Sequence, residues 1–176
     1  MYTCAIASHH PTRFKWKYKE NNNGCKRLKK RLHDQFILLY EQGIRRFLVD
    51  GALGVGQWSG EILLKMKLEP EYEDIEVVVV LPYSGHDVRW DERSRERLAF
   101  LLKHCSEQIT VGKLSGRDSF IQRNRYMVDH ADCLLAVYDH QPEQDSEIAQ
   151  TVSYAKKKNL SLIFIHPDTG VVSGTL

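Results

Sequence analysis

Short apolar runs recur along the chain, and between them apolar residues return every three or four positions. The runs Tyr2–Ala7, Phe47–Val49, Val77–Leu81, Cys133–Tyr138 and Leu162–Ile165 are continuous rather than alternating, as strands buried on both faces are. Gln108–Val111 is a weaker candidate strand. Cys25, Leu28, Leu32, Phe36 and Leu39 keep helical spacing, which predicts a helix from Gly24 to Gln42 stopped by Gly43. Trp58, Ile62 and Met66 predict a second helix, and Leu98, Leu101 and Leu102 a third. A fourth is expected over Phe120–His130, with Ser119 as its N-cap and Met127 and Val128 turned inward. Ile148, Val152 and Ala155 predict a last helix, closed by Lys156–Asn159 against its negative end. Strand and helix alternate throughout. The expected fold is therefore α/β, a doubly wound and mostly parallel sheet with helices on both faces, in one domain over residues 1–176. Phe47–Val49, Val77–Leu81, Cys133–Tyr138 and Leu162–Ile165 are expected as neighbours in that sheet.

Open α/β sheets bind ligands beyond the carboxyl ends of their strands, so the polar segments there carry the candidate chemistry. Phe47–Val49 runs into a turn with Gly51, Gly54 and Gly56 before helical spacing resumes at Trp58. A strand, a glycine turn and a helix N-terminus together aim free backbone N–H groups at an anion. Glycine also lets backbone approach a ligand where a Cβ would clash. The spacing is neither G-x-G-x-x-G nor a P-loop. A tight turn with no ligand explains it equally well. If a ligand does enter, Gly54→Val should abolish its binding and leave thermal stability nearly intact. Ser8, His9, His10 and Arg13 follow the first strand and could contact a polar ligand; the alternative is a surface loop with incidental histidines. Lys15–Asn23 has no clear period and reads as a long loop placed to act as a lid. Trp58, Tyr83 and Trp90 offer rings for stacking on a base, although Trp58 shares a helical face with Ile62 and Met66 and reads as core.

Composition narrows the function classes. Hydrophobic residues make up 42% and charged residues 27% of the 176, the profile of an ordinary globular protein. A formal net charge of +2 gives no electrostatic case for nucleic acid. Lys26, Arg27, Lys29, Lys30 and Arg31 cluster, but without interleaved aromatics they read as a solvated helix face. Cys4, Cys25, Cys105 and Cys133 form no C-x-x-C pair, and no metal site is expected. No secretory signal is visible and no apolar run is long enough for a membrane span, so a cytoplasmic setting without a membrane partner is expected.

Gly51-Ala52-Leu53-Gly54-Val55-x-Gln57-Trp58 resembles the first signature of the YpsA-like branch of the SLOG superfamily. Arg123-Asn124-x-x-Met127-Val128-Asp129-x-Ala131-Asp132, followed by Ala136-Val137-Tyr138-Asp139, resembles the second. His9-x-Pro11 with Lys17-Tyr18, and Leu81-Pro82 followed by Trp90, also look like that branch. The resemblance runs from residue 3 to residue 167. It implies a Rossmann-like fold and a small-molecule ligand of nucleotide or ADP-ribose-like type. Relatives include the Lonely Guy phosphoribohydrolases and the DNA-processing protein DprA. Strand ends and resemblance together place Ser8, His9, Arg13, Gly51, Ala52, Gly54, Val55, Gly56, Tyr83, Trp90, Arg123, Asn124, Asp139, Ser146 and Glu147 at the ligand.

Three departures from the family pattern change what is expected. Gly56 stands where Asp is usual, and Ser8-His9-His10-Pro11 where Gly-His-Arg-Pro is usual. Ser146-Glu147-Ile148 replaces a Gly-Gly-Thr phosphate loop, aligned through Ala149-Gln150-Thr151-Val152 and Tyr154-Ala155. Glu147, with Glu143 and Asp145 beside it, brings carboxylates where bare N–H groups would hold a phosphate. Two like charges about 4 Å apart at an effective dielectric of about 20 repel by roughly 4 kcal/mol. Ordinary nucleoside phosphates should therefore bind weakly, and Ser146→Gly with Glu147→Gly and Ile148→Thr should reverse this. The favoured reading is a sensor or adaptor that binds a nucleotide-type ligand, with an enzymatic role left open beside it. One alternative is N-glycosidic bond hydrolysis of the Lonely Guy type, with Arg123 stabilising the developing charge and Glu147 as the displaced carboxylate. Another is DprA-like nucleic-acid binding through Lys26–Arg31. A purely structural role for Arg123 would be an ion pair with Asp129 or Asp139. The oligomeric state is open, a homodimer being the form admitted.

Overall fold

Seven strands form one sheet in the order β4-β3-β2-β1-β5-β6-β7, and every neighbouring pair is parallel except β6 with β7. The structure is a computed structural model and describes residues 1–141 and 146–174. The strands are β1 (Thr3–Ser8), β2 (Arg46–Val49), β3 (Glu76–Leu81), β4 (Glu107–Thr110), β5 (Cys133–Val137), β6 (Ser161–Ile165) and β7 (Val172–Ser173). The helices are α1 (Asn23–Glu41), α2 (Val55–Lys67), α3 (Glu92–His104), α4 (Arg117–Asp129) and α5 (Glu147–Lys157). Short 3-10 turns lie at Pro11–Arg13 and Pro70–Tyr72. This is the Rossmann-like, doubly wound α/β arrangement. No helix among the described residues is long and apolar enough to cross a membrane.

The side chains of each strand divide between two cores with the strand period of two. Cys4, Phe47, Val77, Val79 and Leu135 pack with α1, α2 and α3 on one face. Ala5, Leu48, Val78, Val80 and Leu134 pack with α4 and α5 on the other. Burial on both faces is why these strands read as continuous apolar runs.

The expected adjacency of the strands is corrected in one respect. β1 separates β2 from β5, with Cys4 in register with Phe47 on one side and Cys133 on the other. An apolar run reports burial and carries no information about which strand lies alongside. The chain steps outward through β2, β3 and β4. It then returns through α4 to lay β5 against the open edge of β1, which is the topological switch point of the sheet.

Two local expectations also change. Helix α4 begins at Arg117 with Gly116 as its N-cap, at φ 139°. Ser119 is buried inside the first turn, and its hydroxyl donates to the Leu114 carbonyl at 2.5 Å rather than capping the helix. The segment after Pro11–Arg13 is anchored rather than poised as a lid. Phe14 and Trp16 are buried, their rings stacked at 5.0 Å, with Phe14 in turn 6.0 Å from Trp58. Glu20 accepts hydrogen bonds from Lys29 at 2.7 Å and Arg97 at 2.5 Å, tying the segment to α1 and α3.

Candidate functional site

The switch point places the carboxyl ends of β1 and β5 side by side, and a small cleft opens there. Its volume is about 80 Å³. Ser8, His9 and His10 reach it from the end of β1, and Asp50, Ala52, Leu53, Val55 and Gly56 from the turn between β2 and α2. Arg123 and Asn124 enter from α4, and Glu147, Ile148 and Thr151 from the first turns of α5. Of the residues expected from sequence, Ser8, His9, Ala52, Val55, Gly56, Arg123, Asn124 and Glu147 are thus brought together.

Arg123 dominates the chemistry of the cleft. It is 3% exposed. Its Nε donates to Asn124 Oδ1 at 3.1 Å, and Nη2 lies 3.8 Å from Asp50 Oδ2. Its Nη1 is buried with no hydrogen-bond partner among the described residues. A buried guanidinium N–H left unpaired costs more than an ordinary unmade bond, so this atom marks a place where an acceptor belongs. The ion pair expected with Asp129 or Asp139 is not formed. Asp129 instead accepts from Tyr154 at 2.7 Å and faces Lys158, while Asp139 is engaged by Arg13 and His9.

Asp50 is the lining residue that sequence reasoning missed. The signal was present, because it closes a buried strand at the ligand-binding end of the sheet. Its carboxylate accepts from the Ala52 N–H at 3.0 Å and fills the space beside Gly56. A Cβ added at Gly56 would lie 1.9 Å from Asp50 Oδ1. Gly54, at φ +87°, packs its Cα face on Pro11, where a Cβ would meet the ring at 2.7 Å. Protein neighbours therefore account for both glycines. The expectation that Gly54→Val would spare stability is corrected accordingly. Gly51 and Gly54 do not line the cleft, and a Cβ at Gly51 would press on Leu98 and Val79.

The remaining expected residues lie elsewhere. Arg13 pairs with Asp139 at 2.6 Å and Asp168 at 3.2 Å, tying the β1 loop to the β5 and β6 loops. Burial would raise the Asp139 carboxyl, but the Gln141 N–H, Arg13 and His9 outweigh it and hold it below its ordinary range. Tyr83 and Trp90 flank His86 in edge-on contacts beyond β3. Ser146 is the N-cap of α5, accepting from Ala149 N–H at 3.4 Å. Glu147 follows it and is exposed, lining the cleft at the helix N-terminus. Glu143 and Asp145 lie outside the described residues. Burial lowers the His10 imidazole, opposed by the charge of Glu147, so the two share one electrostatic environment.

Comparison with known proteins agrees with this architecture. The family model described as "YspA SLOG family" matches residues 4–169, and the chain belongs to this YpsA family. A UPF0398 protein of Bacillus cereus is 32% identical over 143 residues, covering 80% of this chain and 76% of the relative. A UPF0398 protein of Bacillus thuringiensis (strain Al Hakam) is 29% identical with the same coverage. The structure of DNA processing protein A from Helicobacter pylori superposes with a TM-score of 0.61 at 16% identity. That alignment covers 93% of this chain and 64% of the other, whose description concerns its single-stranded DNA binding mode. At this identity the likeness is one of fold.

Proposed function

We propose that the protein binds a nucleotide-type small molecule at the carboxyl ends of β1, β2 and β5, acting as a sensor or adaptor. One observation carries the reading: the buried Arg123 Nη1, without a partner among the described residues, in a cleft that also holds the N-terminus of α2. A guanidinium with a free N–H suits a phosphate or carboxylate oxygen, and a helix N-terminus adds to the attraction. SLOG membership supports the same ligand class. The test is calorimetric titration of parent and Arg123→Gln with adenosine and guanosine monophosphates, alongside native mass spectrometry of freshly purified protein. Binding that Arg123→Gln removes supports the proposal; binding that survives the change sinks it.

A second reading, N-glycosidic bond hydrolysis, is favoured by one observation. Arg123 and two carboxylates, Asp50 and Glu147, line the same cleft, and cleavage of a glycosidic bond calls on such groups. Release of free base from nucleoside monophosphates, lost in Glu147→Gln, would move the protein into that class.

A further inference from the structure

The cleft at Arg123 is too small for the ligand its chemistry suggests. It holds about 80 Å³, whereas sites for drug-sized molecules run to roughly 300–1,000 Å³. The missing volume lies next to it. A groove of about 420 Å³ runs between α4 and α5. Asn124, Glu147 and Thr151 line both spaces, so the two adjoin.

The groove follows from helix geometry. Glu147, Thr151 and Tyr154 lie on one face of α5 at helical spacing, with Lys157 one turn further, while Asn124 and Arg125 project from α4 opposite. Its charge is uneven. Lys157 has no ion-pair partner among the described residues, and Arg125 lies over the Tyr154 ring at 5.4 Å without a carboxylate. Glu147 is the one carboxylate among the described residues lining the groove, and it stands at the junction with the cleft.

A ligand spanning both spaces meets Arg123 with Asp50 beside it, then Glu147, then Arg125 and Lys157. An anionic group suits Arg123. A group bearing hydroxyl donors suits Glu147 and the Asn124 amide. A second anionic group suits Arg125 and Lys157. A phosphate placed at the junction would face Glu147 and be repelled.

We propose that the α4–α5 groove is the second half of the ligand site and selects a ribose carrying two separate phosphate groups, one held by Arg123 and the other by Arg125 and Lys157. This rests on the proposed nucleotide-type reading and adds the ligand class. The remaining sugar hydroxyl then donates to Glu147, which turns the carboxylate that opposes a phosphate at the junction into a contact for the ribose between two phosphates.

The probes are adenosine 3′,5′-bisphosphate and adenosine 5′-monophosphate, titrated calorimetrically into the full chain and into Arg125→Gln/Lys157→Gln. Both changed side chains are exposed, so the variant should fold, which its melting curve verifies. The parent is expected to bind the bisphosphate roughly tenfold more tightly than the monophosphate, because a second charge-assisted contact is made. The double variant should lose that preference and keep its monophosphate affinity. Equal affinity of the parent for the two probes, an undiminished preference in the double variant, or no bisphosphate binding would each overturn the inference. The nucleotide reading itself is judged separately, by whether Arg123→Gln abolishes whatever binding is seen.

Discussion

Asp50 Oδ2 lies 3.8 Å from Arg123 Nη2, near enough to balance charge and too far for a hydrogen bond. The carboxylate is held elsewhere, by the Ala52 N–H at 3.0 Å. Asp50 thus competes with an incoming anion for Arg123 without satisfying the guanidinium. Asp50→Asn keeps a side-chain oxygen for Ala52 and removes the competing charge. We expect anion affinity to rise several-fold and stability to fall by about 3 kcal/mol, since the carboxylate beside a buried cation is lost. Titration with adenosine monophosphate and a melting curve measure the two effects. Weaker binding in Asp50→Asn would show that the carboxylate helps to hold the ligand.

The glycine turn is predicted to be sensitive for structural reasons. Gly56→Ala drives a Cβ into Asp50 Oδ1, and the carboxylate must leave Ala52 to make room. Overpacking of this kind costs about 1–3 kcal/mol. Gly54→Val combines a positive φ with a collision against Pro11, so its loss should be at least as large. Thermal melts without ligand are sufficient. Near-parental melting for Gly54→Val would mean that Pro11 yields easily and that the turn is looser than its packing indicates.

Glu20 supplies a prediction about acid stability. Burial alone would raise its carboxyl, but hydrogen bonds and charge from Arg97 and Lys29 outweigh burial and hold it at about 2 against an ordinary 4.5. A carboxyl lowered in the folded state stabilises the fold above pH 4.5 and loses that contribution as pH falls toward 2. Glu20→Gln should therefore cost about 1 kcal/mol at neutral pH, a modest figure because the network is partly exposed. The gap between parent and variant should narrow between pH 4.5 and 2. A gap that stays constant with pH would assign the effect to packing instead of charge.

Glu147 tests the electrostatics of the α5 terminus. Restoring all three residues of a phosphate loop is a poor experiment, because Ile148 is 3% exposed in the core and Ser146 caps the helix. Glu147→Gln alone removes the charge and leaves both in place. It should tighten binding of inorganic phosphate several-fold, since a like charge at the site is removed and no sugar contact is lost. Unchanged affinity would mean that the carboxylate turns away from the ligand.

The order of apolar runs and helical periods was enough to specify an α/β chain with a largely parallel sheet, because burial on both faces leaves a continuous run in each central strand. The ends of α1 and the inward faces of α2 and α5 were legible for the same reason: helical spacing records which side is buried. Motifs on separate segments, Gly51–Trp58 and Arg123–Asp139, named in advance several residues that line the cleft, Ala52, Val55, Gly56, Arg123 and Asn124. Tertiary structure alone decided which strand lies beside which, since β1 is seated between β2 and β5 by the path of the crossovers. It also decided the glycines, whose missing Cβ atoms make room for Pro11 and Asp50, residues that spacing cannot connect to them. The partner of Arg123 was hidden for the same reason. Asp129 and Asp139 are near in sequence, but Asp50 is the carboxylate that the parallel sheet brings alongside, and only the folded chain shows that one guanidinium N–H finds no acceptor among the described residues.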